Sequence, residues 1–275
     1  FGWSTSISGN LYLTAGVDSE ALIETPRPSD MENIGGQILT MPEPRTYELP
    51  PYPDVPSLPL RNDVDLDWAT PSFTIDADGY YKQISVNSYT LNIDVGSGVR
   101  RLVVDDFYID GDSRVNITGD GLLELYVTNT FSLTGSSTFN LGGDQDNVML
   151  YYGGTSAFSV DGATAFVGSV YVQTADVDIL GSGGVTGHIV TGGTSVDITG
   201  NAAAHVRVIY APLAYVYLTG SGHVTGSVIA DRCMLEGDTY ISYQANAGAG
   251  GIPIDGFGTE GEVEVDITKP IELDY

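Results

Sequence analysis

Between Phe107 and Ile241 the chain alternates apolar and polar residues around a recurring glycine. The phrase reads FYIDGDSRV, FSLTGSSTF, FSVDGATAF, VDILGSGGV, VDITGNAAA, VYLTGSGHV and CMLEGDTYI, with its glycine at Gly111, Gly135, Gly162, Gly181, Gly200, Gly220 and Gly237. Two residues before the glycine stand Ile109, Leu133, Val160, Ile179, Ile198, Leu218 and Leu235. Four before it stand Phe107, Phe131, Phe158, Val177, Val196, Val216 and Cys233. Four after it stand Val115, Phe139, Phe166, Val185, Ala204, Val224 and Ile241. Period-two alternation sends one set of side chains to each face of a strand. The glycine marks a corner, where freedom from Cβ constraints is needed. Successive glycines lie 24, 27, 19, 19, 20 and 17 residues apart, a period that belongs to stacked supersecondary units. The pattern predicts an all-β fold, a right-handed parallel β-helix or β-solenoid, with apolar columns stacked at about 4.8 Å per coil. The hand follows from the near-universal right-handedness of parallel crossovers.

Around this repeat the chain divides into four parts. Residues 1–25 hold SISGNLYLT, which resembles the coil phrase and predicts an N-terminal strand that caps the solenoid or is donated to a neighbour. Residues 26–72 carry ten of the 13 prolines and predict an extended linker, since proline neither ladders into a sheet nor continues a helix. Residues 73–243 form the β-solenoid, with GSVYVQT, HIVT, RVIYAP and GSVIAD supplying its other faces. The segment LGGDQDN at 141–147 is expected to loop out of the longest repeat. Residues 244–275 give a glycine-rich segment and a C-terminal strand, in which Val263, Val265 and Ile267 share one face and Pro270 favours an edge.

Charge narrows the partners. The formal net charge is −26, with only two lysines, Lys82 and Lys269. Such a surface repels nucleic acid and anionic membranes, and it also repels its own copies. No apolar stretch is long enough for a transmembrane helix. Phe1 in place of Met carries the expectation of a processed chain, and with it an extracellular location. A single cysteine excludes an intrachain disulfide, which a solenoid with a continuous core does not need.

Candidate chemistry is sparse. His188, His205 and His223 fall in different columns, so they do not converge as metal ligands must; surface or corner positions are expected for them. Cys233 shares the inward column of Phe107 and Val216 and reads as a small core residue. Asp178 and Asp197 share an outward column in consecutive coils, with Asp176 two residues before Asp178. Stacked carboxylates repel unless a cation or water intervenes, so calcium is the ion such a column would admit, although no cofactor is expected. Asp63/Asp65/Asp67, Asp76/Asp78 and Asp110/Asp112 complete no calcium-loop pattern. Parallel β-helices include polysaccharide lyases and hydrolases, but lyases of acidic glycans need basic groups, and within the clear repeats Arg114, Arg207 and Arg232 stand isolated. No GxSxG elbow, phosphate loop or HExxH occurs. No catalytic, cofactor-binding or metal residue is assigned, and an enzyme is not expected. Tyr215 and Tyr217 project outward, while Tyr80/Tyr81 and Tyr151/Tyr152 are paired; aromatic rows stack on sugars or protein and are also common strand residents. Asn116-Ile117-Thr118 is a lone glycosylation sequon.

The ISGN and LTGS coils, the preceding proline-rich segment and RVIYAPLAYVYLTGSGHVTGSVIADRCMLEGDTYISY together resemble a prokaryotic surface β-solenoid domain of unknown function, often found behind PilX-type or prepilin-like segments. The resemblance covers roughly residues 1–243. It implies a cell-surface or pilus-associated structural role and carries over no catalytic residue. Type IV pilins begin at Phe and continue into a long apolar helix; here GWSTSISGN follows, so any polymer is expected to form through β-strands or coil stacking. The function expected is that of an extracellular, non-enzymatic filament subunit, partnered by its own copies. A monomeric adhesin binding surface glycans is the alternative, and a polysaccharide-active enzyme the second.

Overall fold

A computed structural model of the chain describes residues 4–13, 15–16, 23, 33–43 and 47–243. They form a parallel β-solenoid of about nine turns, with almost no helix. Each turn has three faces. The first holds the residues before the recurring glycine, the second those after it, and the third the apolar passages that lead to the next phrase.

The expected columns are vertical neighbours. On the first face Ile109, Leu133 and Val160 stack in register, followed by Ile179, Ile198, Leu218 and Leu235. On the second, Val115, Phe139, Phe166, Val185, Ala204, Val224 and Ile241 do the same. All of these are buried. The third face contributes Leu102, Leu125, Leu150, Val170, Ile189, Ile209 and Val228 to the same core.

Coil length and core filling vary together. The two longest repeats, 24 and 27 residues, enclose stacked phenylalanines: Phe131 on Phe158 at 4.9 Å and Phe139 on Phe166 at 5.0 Å. The shorter repeats enclose Val177, Val196, Val185 and Ala204. A wider ring needs larger side chains to reach close packing. Tyr152 also fills the wide section, and its hydroxyl lies within hydrogen-bonding reach of the Asn129 and Ser156 carbonyls, at 3.0 and 2.9 Å, sharing its one hydrogen between them. The loop at 141–147 leaves the core at Leu141, which is exposed, and closes with a short 3-10 turn at Gln145–Asn147 capped by Asp144.

The corner glycine is required by its backbone. Gly200 has φ +78°, and a Cβ there would lie 2.6 Å from the Gly181 carbonyl oxygen one coil below. That carbonyl accepts from the Asn201 N–H at 2.7 Å, so the corner is also a rung of the ladder.

The ends differ from the expected boundaries. Inside the segment 26–72 lie two strands, β3 (Ile38–Thr40) and β4 (Val64–Leu66). The solenoid therefore starts at β4, not at residue 73: Val64 and Leu66 stack on Ile84 and Val86. The stretch between Pro59 and Pro71 contains no proline, which leaves its N–H groups free to ladder. A further strand, β5 (Ser72–Ile75), completes the first coil by pairing with Thr90–Gly96.

At the opposite end the N-terminal segment returns. Here β1 (Ser6–Ile7) pairs in parallel with Tyr240–Ser242, placing Ile7 on Ile241. Next, β2 (Leu11–Leu13) pairs with β3. The chain's own first strand thus caps its last coil. Ile7 extends the column four residues after the glycine, whereas its position before Gly9 resembles Leu235 before Gly237. Period-two alternation does not distinguish one apolar column from another; the Ser6 and Ser8 N–H groups, donating to the Thr239 and Ile241 carbonyls, fix the choice. The expected C-terminal strand, within 244–275, lies outside the described residues.

Candidate functional site

The third face carries strands such as Val148–Tyr152 and Ser169–Val172, in which every residue is buried. A strand apolar in both parities is covered on both sides. Its outward column runs Tyr80, Val103, Tyr126, Tyr151, Tyr171, Val190, Tyr210 and Ile229. From Val103 onward these residues are at most 7% exposed, and they form an apolar cluster of their own outside the solenoid core.

The cover is the proline-rich segment. Tyr47, Leu49, Tyr52 and Leu58 pack on the column. Tyr52 meets Tyr151 and Tyr171 edge to face, at 6.1 and 5.3 Å, and Tyr47 meets Tyr210 at 6.3 Å. The Tyr171 hydroxyl donates to the Pro50 carbonyl, and the Tyr210 hydroxyl to the Glu48 carbonyl at 2.8 Å. Near its end the segment joins the face by backbone bonds: Tyr80 N–H donates to the Pro59 carbonyl at 2.8 Å, and Arg61 N–H to the Tyr80 carbonyl at 2.7 Å. Residues 47–60 therefore run the length of the solenoid, from the rung of Tyr210 to that of Tyr80. Those six rungs span on the order of 29 Å, within the roughly 40 Å that 13 residues of polyproline-like chain can reach. The linker is a strap that ties the capped end to the first coil.

Burial sets the electrostatics of this face. It pushes the hydroxyls of Tyr52, Tyr126 and Tyr171 upward, and that of Tyr210 up to about 12. All are neutral at ordinary pH, which leaves the Tyr171 and Tyr210 hydroxyls able to donate.

The second feature is the first coil. Among the described residues β4 pairs only with Gly79–Asn87 and β5 only with Thr90–Gly96, so their outer edges carry no strand. Trp68 between them is 84% exposed, with Leu60 and Phe73 also exposed.

The residues singled out from the sequence are placed as follows. Asp178 and Asp197 are direct cross-strand partners. Burial raises both carboxyls above the usual range; Asp197 and Asp176 add to the rise at Asp178, and Asp176 adds to that at Asp197. Asp176 accepts from the N–H groups of Thr194 and Ser195 at 3.0 and 2.8 Å. Among the described residues no group of three or more His, Cys, Asp or Glu is arranged to hold a metal ion. His188, for which a surface or corner position was expected, is buried. His223 stacks on Tyr240 at 4.8 Å, and His205 lies in the strand Ala203–Leu218. Cys233 is buried, which pushes its thiol up to about 12. Tyr215 and Tyr217 are half-buried and stack on each other at 6.0 Å, with Tyr217 donating to Glu236 at 2.8 Å. Of the paired tyrosines, Tyr81 and Tyr152 point into the core while Tyr80 and Tyr151 join the outward column. The Asn116 amide donates to Asn92 at 3.0 Å across a rung of the second face.

Sequence reasoning missed the strap's seat. The signal was present in VMLYY, SVYV and RVIYAP, whose outward positions are as apolar as their inward ones.

Residues 60–207 match the family described as Domain of unknown function (DUF7305). No curated protein and no solved structure matches the chain. No helix among the described residues is long and apolar enough to cross a membrane.

Proposed function

The chain belongs to the DUF7305 family, and we propose that it is an extracellular, non-enzymatic structural solenoid that assembles end to end with its own copies into a surface filament. The carrying observation is the first coil, whose outer strand edges carry no strand among the described residues, beside an exposed Trp68. A solenoid rung with free N–H and C=O groups is a template for one more rung. The cap at the other end is itself built of parallel rungs, β1 on the last coil and β3 on β2, so one copy's β3 rung can continue into the next copy's β4–β5 coil. Coil stacking is favoured over donation of the N-terminal strand, because that strand already occupies its own chain's last coil. A prepilin-like setting fits this reading, since it supplies a surface on which such a fibre would grow.

The net charge of −26 opposes association. Repulsion between exposed charges is screened over about 8 Å at physiological ionic strength, so assembly should strengthen with salt. Light scattering after size exclusion tests this. Oligomers that grow between low and high salt, and that Trp68→Glu returns to monomer, are expected. A 29.1 kDa monomer at every salt and concentration would sink the proposal and favour a monomeric adhesin. The half-buried Tyr215–Tyr217 pair is the aromatic surface such a glycan-binding module would offer, because the larger tyrosine column is already covered.

A further inference from the structure

The strap and the third face meet as ligand and groove. Residues 47–60 contain five prolines. Prolines lack N–H groups and hold φ near −65°, so this segment is stiff, extended and rich in carbonyl acceptors. The face opposite provides what such a chain lacks. Tyr171 and Tyr210 aim hydroxyl donors at the Pro50 and Glu48 carbonyls. Tyr126 and Tyr151, stacked at 4.8 Å, line the groove between Tyr171 and Tyr80 with aromatic surface. Aromatic-lined grooves that bond the carbonyls of an extended proline-rich segment are a general mode of peptide recognition. Over Tyr47–Leu58 the described contacts are side chain to side chain and hydroxyl to carbonyl; backbone pairing begins only at Pro59–Arg61. The strap is therefore bound as a peptide is bound, not woven in as a strand.

We propose that the tyrosine face of the solenoid is a docking groove for an extended proline-rich peptide, and that residues 47–60 of a second copy are the partner it fits when a copy's own strap is displaced. The same segment seated here within one chain identifies that occupant: the ring and hydroxyl-to-carbonyl contacts of residues 47–58 can be offered to a second copy's face, while the backbone pairing at Pro59–Arg61 stays with the copy whose Val64 seats on Ile84. Tethering gives the resident strap a high effective concentration, so exchange belongs to crowded copies such as those on a surface. The proposal does not depend on whether the end coils stack.

The first experiment uses the full chain and a fluorescent synthetic peptide of residues 47–60. The Tyr47→Ala/Tyr52→Ala variant, which loosens the resident strap, should bind the peptide saturably in an anisotropy titration. The unaltered chain should bind it roughly tenfold or more weakly, since its groove is filled. Adding Tyr171→Phe should weaken binding several-fold, because the Pro50 carbonyl loses its donor. A double variant with unchanged far-ultraviolet circular dichroism that ignores the peptide overturns the groove, as does equal binding of a scrambled peptide. If the double variant does not fold, Tyr52→Ala alone leaves Tyr47 in place and takes the same test. The second experiment addresses the partner. Full chains labelled at Ser57→Cys on the strap are mixed with full chains labelled at Thr174→Cys beside the groove; both positions are exposed, and the buried Cys233 stays unlabelled. Energy transfer that develops on mixing supports strap exchange between copies. Its absence in both the unaltered and the Tyr52→Ala background, at concentrations up to the solubility limit, overturns the second copy as occupant.

Discussion

Single residues in a solenoid act through the rung above and the rung below. Gly200 has a positive φ, and a Cβ would press on the Gly181 carbonyl. Gly200→Ala should therefore cost about 2 kcal/mol, from the left-handed backbone and the displaced rung together, read as a lower midpoint in urea. Asp178 and Asp197 are opposed like charges in register, and both carboxyls are raised, mainly by burial. A raised acid favours the protonated folded state, so the pair works against stability at neutral pH and ceases to do so as pH falls through the folded values. Asp178→Asn should thus stabilise the protein by about 0.5 kcal/mol at pH 7. The gain should vanish below pH ~3.9, where the wild-type carboxyl is protonated in both states. Equal gains at pH 7 and pH 3 would show that repulsion is not the cause.

At the scale of elements, the strap is held by tyrosines that must stay protonated. Burial raises Tyr52 and brings Tyr210 to about 12, against an unfolded value near 10. The stability they contribute is fully present below pH ~10 and is lost as pH rises through the folded values. Limited proteolysis at Ser57 should accordingly be slow at pH 8 and accelerate between pH 10 and about 12, ahead of cleavage in the coils. The three kinds of element were unequally legible in the sequence. Coils announced themselves because inward and outward positions alternate around a glycine. The strap announced only that it was extended. Proline composition fixes a conformation but not a partner, and the partner lay in outward positions read as ordinary exposed tyrosines.

Across the whole molecule, stability is close to a sum of neighbouring-coil terms, with the strap and cap added as long-range ties. Ile7→Asp would place an unpaired carboxylate on the Ile241 column. It should release the cap and cost roughly 3 kcal/mol locally. Hydrogen exchange at Tyr240–Ser242 should rise to that of a fraying edge, while the rung at Ile84 and Phe107 stays protected. Loss of protection throughout would mean that the cap holds the entire solenoid together, not only its last coil.

The sequence by itself determined the columns, the corners and the change from a wide core to a narrow one, because each follows from residues a few positions apart and repeats with every coil. Only the tertiary structure decided that β1 joins Ile241, that the solenoid opens at Val64, and that residues 47–60 lie along the tyrosines from the last coils back to the first. Those contacts join segments as far apart as Ser6 and Tyr240, and no local period or propensity encodes which of several equivalent apolar columns a distant segment will cover.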